Sequence, residues 1–118
     1  MTTKILVVDD DFAIRHLLAM GLEAEGYEVL LEESGAKVMQ HLTDADVKLI
    51  ILDIIMDEQE GMETVNKIRS QYPDFPVIMI SSDPGYLDIA KDLGATATMH
   101  KPLDLKKLIP MIAKLLEG

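Results

Sequence analysis

Apolar residues along this chain switch repeatedly between two periods. Ile5-Leu6-Val7-Val8 is a short β-type run, after which Ile14, Leu17, Leu18 and Leu22 recur at helical spacing. Gly26 is placed to stop that helix just before Tyr27. Tyr27 to Leu31 predicts a second strand, and Ser34 caps a short helix carrying Val38, Met39 and Leu42. Leu49-Ile50-Ile51-Leu52 predicts a third strand, apolar on both faces, and Met62, Val65 and Ile68 mark a helix from Gly61 to Tyr72. Pro76 opens a fourth strand, Val77-Ile78-Met79-Ile80. Asp83 and Pro84 form the cap and first position of a helix that Gly94 ends. Ala95 to Met99 is a weak fifth strand, and Leu103 to Leu116 is a last amphipathic helix. Pro110 within it removes a backbone hydrogen bond, so a kink or break is expected there.

Strands alternating with helices over short connections predict an α/β fold. The strands are parallel, the crossovers right-handed, and helices cover both faces of the sheet. Strands one, three and four are the most uniformly apolar and belong in the middle. The more polar strands two and five take the edges, which gives a five-stranded sheet of order 2-1-3-4-5. Its switch point lies between strands one and three, where ligands bind outside the carboxyl ends.

Composition narrows the field of functions. The 118 residues are the length of one domain, taken as 1–118, and 48% of them are apolar, enough for a core. There is no cysteine, which excludes disulfides, thiolate metal sites and cysteine nucleophiles. Apolar runs are too short to span a membrane, and the N-terminal residues lack a signal-peptide pattern, so a cytoplasmic protein is expected. The net charge of −10 lies entirely in residues 1–60, with 14 acidic and 4 basic side chains. No basic face suggests direct nucleic-acid binding.

The chemistry gathers where the strands end. Strand one runs into Asp9-Asp10-Asp11, strand three into Asp53, strand four into Ser81-Ser82, and strand five is followed by His100-Lys101-Pro102. The fold brings these segments to one edge of the sheet. Crowded carboxylates repel unless a cation intervenes, and hard oxygen ligands suit Mg²⁺, with Mn²⁺ as an alternative. A carboxylate can also attack phosphorus to form an aspartyl phosphate. A lysine and a hydroxyl beside it make the electrostatic clamp that phosphoryl transfer needs. Taken singly, an Asp after a strand is often only a helix cap, as Asp11 is expected to be. The conjunction at four strand ends is harder to produce by accident.

Four segments together resemble the receiver domain of two-component response regulators, the CheY-like family. They are Lys4 to Asp10, Asp53 to Met56 with Gly61, Val77 to Ser82, and Gly94-Ala95 with Lys101-Pro102. The resemblance covers the whole chain and implies the flavodoxin-like, doubly wound three-layer fold. It implies that Asp53 accepts a phosphoryl group from a histidine kinase or phosphotransfer protein. It further implies that Asp10, Asp9, Asp53 and the backbone carbonyl of Ile55 hold Mg²⁺, and that Ser81 and Lys101 bind the phosphoryl group. The Lys101-Pro102 bond would be cis. The output would pass to a downstream protein or a second copy through helix four, strand five and helix five, with no enzymatic turnover beyond Asp53 itself.

Two departures from the family pattern stand out. Asp57 replaces a proline, within the acidic run Asp57-Glu58-Gln59-Glu60, which is expected to make that loop more mobile. Thr98 replaces an aromatic residue, so a backbone adjustment from Ser82 through helix four is expected instead of a side-chain flip. Two other functions compete. A small Mg²⁺-dependent aspartyl phosphohydrolase would use Asp9-x-Asp11, but Ala13 stands where it needs Thr or Val. A binding module independent of phosphorylation would not need Asp10, Asp53, Ser81 and Lys101 together. His16, His41 and His100 are too scattered for a metal site, the methionines are expected to fill core gaps, and Lys106, Lys107 and Lys114 are expected to form a solvated face, with docking of a partner as the alternative.

Overall fold

The computed structural model describes residues 2–55 and 58–117, with the side chains of residues 58–60 outside that description. Asp57 and its acidic run therefore lie outside the described side chains. The elements follow in chain order: β1 (Lys4–Val8), α1 (Phe12–Glu23), β2 (Glu28–Glu32), a 3-10 turn (Gly35–Lys37), α2 (Val38–Asp44), β3 (Val47–Asp53), α3 (Glu58–Gln71), β4 (Val77–Ser81), α4 (Pro84–Asp92), β5 (Ala97–His100) and α5 (Leu105–Glu117). All strand pairs are parallel, in the order β2-β1-β3-β4-β5. This is the expected architecture.

The alternation of strand side chains divides the core into two layers. Ile5, Val7, Leu49, Ile51, Ile78 and Ile80 point to one face, where Leu18 and Leu22 of α1 and Leu108 and Ile112 of α5 cover them. Leu6, Val8, Ile50, Leu52, Val77 and Met79 point to the other face, against Val38 and Leu42 of α2, Val65 and Ile68 of α3 and Ala90 of α4. β3 and β4 are buried almost throughout, which is why their sequences show no polar alternation. Met79 fills the core as expected, whereas Met20 is 61% exposed.

The caps fall where the sequence places them. Asp11 Oδ1 accepts the Ala13 N–H at 2.8 Å, and Asp83 Oδ1 accepts that of Gly85 at 2.8 Å. Gly26 and Gly94 follow their helices with φ of +91° and +110°, a conformation that costs a side chain but not glycine. The last helix departs from expectation. It begins at Leu105, capped by Asp104 through the Lys106 N–H at 2.9 Å, and it continues through Pro110 without a break. Pro110 lies on the exposed face and has no N–H to offer the Lys106 carbonyl. Buried Leu108 and Ile112 on the opposite side hold the helix to the sheet.

Candidate functional site

The register of the sheet assembles the site. Val8 is paired with Leu52, so the next residues, Asp9 and Asp53, emerge side by side at the carboxyl ends of β1 and β3. The Asp9 N–H continues the ladder to the Glu32 carbonyl at 3.1 Å, and that of Ile54 reaches the Ile80 carbonyl at 3.1 Å. On the far side the Lys101 N–H donates to the Ser81 carbonyl at 2.8 Å, fixing where the lysine side chain starts. The Lys101-Pro102 peptide is cis, as expected. Gly61 lets α3 come close. A Cβ there would stand 2.8 Å from the Ile54 carbonyl oxygen and 3.2 Å from that of Asp53.

Asp9, Asp53 and Ser81 are buried, while Asp10 is exposed at the rim. One carboxylate oxygen from each of Asp9, Asp10 and Asp53 lies within 4.8 Å of the others. Lys101 Nζ sits 3.0 Å from both Asp9 Oδ2 and Asp53 Oδ2. Its well-directed hydrogen bond goes to Asp53. Among the described residues, Asp9 Oδ2 is therefore a buried oxygen with an ionic neighbour but no well-aligned donor. The remaining oxygens are held by backbone: Asp9 Oδ1 accepts the Asp11 N–H at 2.8 Å, and Asp53 Oδ1 accepts that of Ile55 at 2.9 Å. Ile55 itself is 39% exposed.

Electrostatics are finely opposed here. Burial pushes the Asp9 carboxyl above its ordinary value and the charge of Asp53 adds to this, while the Asp11 N–H and Lys101 pull against them. Burial pulls the Lys101 ammonium down, but its contacts with Asp9 and Asp53 outweigh that and hold it above the ordinary lysine value. Three carboxylates face one ammonium, and a buried oxygen lacks a donor. This all-oxygen donor set, with its residual negative charge, fits a hard divalent cation such as Mg²⁺.

Ser81 Oγ accepts the Asp83 N–H at 3.0 Å, which leaves the hydroxyl proton to donate elsewhere. Ser82, by contrast, is exposed, as are His100 and His16. His41 is paired instead with Glu32, Nε2 to Oε2 at 2.7 Å. Thr98 lies half-buried on β5 beside Met79. Sequence reasoning passed over Arg15. Its guanidinium donates to the Asp9 carbonyl at 2.7 Å and approaches Glu33 at 3.5 Å. The available signal was compositional, since Arg15 is one of only four basic residues among the first sixty.

A doubly wound parallel sheet with a lysine-bridged acidic pocket at its switch point defines the class of domain. The sequence model of the response regulator receiver domain matches residues 5–113. The chain belongs to that family of two-component signalling domains. It is 32% identical over 115 residues to the DNA-binding transcriptional regulator NtrC of Bradyrhizobium sp. (strain RP501 Parasponia), covering 96% of this chain and 24% of that protein. It is 34% identical over 116 residues to the transcriptional regulatory protein CpxR homolog of Haemophilus influenzae, covering 97% of this chain and 50% of that protein. The CheY-like receiver domain protein of Methanospirillum hungatei JF-1 superposes with a TM-score of 0.88 at 28% identity, over 99% of this chain and 95% of that one. The chain thus spans a quarter to a half of the length of these two curated relatives. Among the described residues no helix is long and apolar enough to cross a membrane.

Proposed function

We propose that residues 1–118 act as one phosphoaccepting receiver, taking a phosphoryl group from a phosphohistidine onto Asp53. The donor would be a cytoplasmic histidine kinase domain or a phosphotransfer protein. The observation that carries this reading is Asp53, a buried carboxylate oriented by the Ile55 N–H and in contact with Lys101 at 3.0 Å. In the transfer an Asp53 oxygen forms a bond to phosphorus as the phosphorus–nitrogen bond breaks, and the electron pair stays with the imidazole.

Asp9, Asp10, Asp53 and the Ile55 carbonyl would hold Mg²⁺. When bound, the cation neutralises charge on the transferring phosphoryl oxygens. Lys101 contributes a fixed positive charge from within the protein. Once Asp53 carries the phosphoryl group as an acyl phosphate, its carboxylate charge is gone, and the ammonium follows the negative charge onto the phosphoryl group. Ser81 donates its free hydroxyl proton to a phosphoryl oxygen. That movement pulls on the Asp83 N–H, and Asp83 is the cap of α4. The signal therefore leaves through the Ser82–Gly85 loop and α4, toward a surface of α4, β5 and α5 that a downstream protein or a second copy reads.

Incubation with acetyl phosphate and Mg²⁺ tests the acceptor, with one phosphoryl group expected by intact mass and none on Asp53→Asn. Labelling of that variant at the wild-type rate contradicts the assignment. Amide shifts with and without beryllofluoride test the output path. Changes are expected from Ser82 through α4, and changes confined to the pocket would mean another surface carries the signal.

A further inference from the structure

We infer that Arg15 is a positioning residue for the cation site, acting through the backbone of the acidic turn; the inference rests on the Mg²⁺ reading given above. The Asp9 carbonyl that accepts the Arg15 Nη1 bond at 2.7 Å belongs to the peptide joining Asp9 to Asp10. That peptide sets the relative direction of the two carboxylates. The rest of the turn is tied down elsewhere. The Asp9 N–H is bonded to Glu32, Asp9 Oδ1 to the Asp11 N–H, and Asp11 Oδ1 to the Ala13 N–H. The Arg15 bond completes this set and leaves Asp9 Oδ2 and the Asp10 carboxylate as the groups facing a cation.

The arginine is itself held in place. Its side chain is only 11% exposed, and the guanidinium carbon lies 5.8 Å from the centroid of the Phe12 ring. The Phe12 ring stacks in turn on His16 at 5.9 Å. Glu33, at 3.5 Å and 80% exposed, is a loose partner screened by solvent. The short bond to the Asp9 carbonyl is thus the defining contact.

The sign of the effect separates positioning from charge. A guanidinium near the pocket repels a cation, so if charge alone mattered, its removal would tighten Mg²⁺ binding. If the hydrogen bond positions the turn, removal weakens binding, as losing a partner of a metal ligand does elsewhere. Arg15→Met removes both charge and donor. Arg15→Gln removes the charge and retains a side-chain N–H, two bonds short of the Nη1 that reaches the Asp9 carbonyl.

The experiment is a Mg²⁺ titration of the whole chain followed by amide chemical shifts, with thermal melts in parallel. Arg15→Met is expected to bind Mg²⁺ roughly tenfold more weakly than wild type. Arg15→Gln recovers only part of that loss, because its amide falls short of the Nη1 position, and Glu33→Gln behaves as wild type. Arg15→Met and Arg15→Gln both binding more tightly would overturn positioning in favour of charge. A lowered melting temperature with unchanged Mg²⁺ affinity would reduce Arg15 to a structural residue. Should Arg15→Met fail to fold, Arg15→Gln is read alone: affinity below the wild-type value is expected, and affinity equal to or above it would overturn positioning. Wild-type protein that binds no Mg²⁺ would overturn the proposed site itself, and this inference with it.

Discussion

Asp9 shows how a proposed cation ligand can work against the fold that carries it. Its carboxylate is buried, and one of its oxygens lacks a well-aligned donor. Burial raises its folded-state pKa above the ordinary value of 3.8, so the folded chain holds the proton more tightly than the unfolded chain does. The stability drawn from that preference is present below about pH 3.8 and is lost as pH rises through the higher folded value. Asp9→Asn removes the charge and keeps an oxygen to accept the Asp11 N–H. Without Mg²⁺, the variant should be more stable than wild type by about 1 kcal/mol at neutral pH. The advantage should fade in acid, and Mg²⁺ affinity should fall. Urea denaturation at several pH values measures the first two, and a Mg²⁺ titration the third. The sequence placed Asp9 in the acidic pocket, because carboxylates after a central strand meet at the switch point. It did not disclose which oxygen would be left without a donor, or that Arg15 bonds the Asp9 backbone. Both depend on side-chain directions that no periodicity encodes.

Among the elements, α4 is held at its two ends by different chemistry. Its first turn hangs on Asp83, which is bonded to Ser81. Its last turn runs into Gly94, whose carbonyl accepts the Arg69 Nε–H at 2.7 Å. Arg69 also reaches the Phe75 carbonyl at 2.7 Å and Thr96 Oγ1 at 3.0 Å, fastening α3 to the loops before β4 and β5. Arg69→Met should cost about 2 kcal/mol in urea denaturation, since it removes a donor from the part-buried Gly94 and Phe75 carbonyls. Helix existence and caps were legible here because Asp83, Pro84 and Gly94 each have a local physical reason. Arg69 was not, because its partners lie up to 27 residues away in sequence. Of the kink or break expected at Pro110, the break does not occur. Local chemistry predicts a kink or break, but α5 is anchored by buried Leu108 and Ile112 on one face while Pro110 lies on the exposed other. Pro110→Ala should restore the hydrogen bond to the Lys106 carbonyl and raise stability by about 1–3 kcal/mol, read from the urea midpoint.

At the scale of the whole molecule, the topology does what no single segment can. Four segments spread between Asp9 and Lys101 become one pocket because β1, β3 and β4 are adjacent and point the same way. That convergence was legible from the order of apolar runs, since the strands buried on both faces had to be central. The burial and linkage inside the pocket came from the three-dimensional packing. The central claim is that Asp53 carries the phosphoryl group, and the most direct measurement locates the bond itself. After reaction with acetyl phosphate and Mg²⁺, borohydride reduces an acyl phosphate on aspartate to the alcohol of homoserine. Peptide mapping should find homoserine at position 53 and nowhere else. Homoserine at position 9 or 10, or an unreduced phosphate ester on Ser81, would contradict the account.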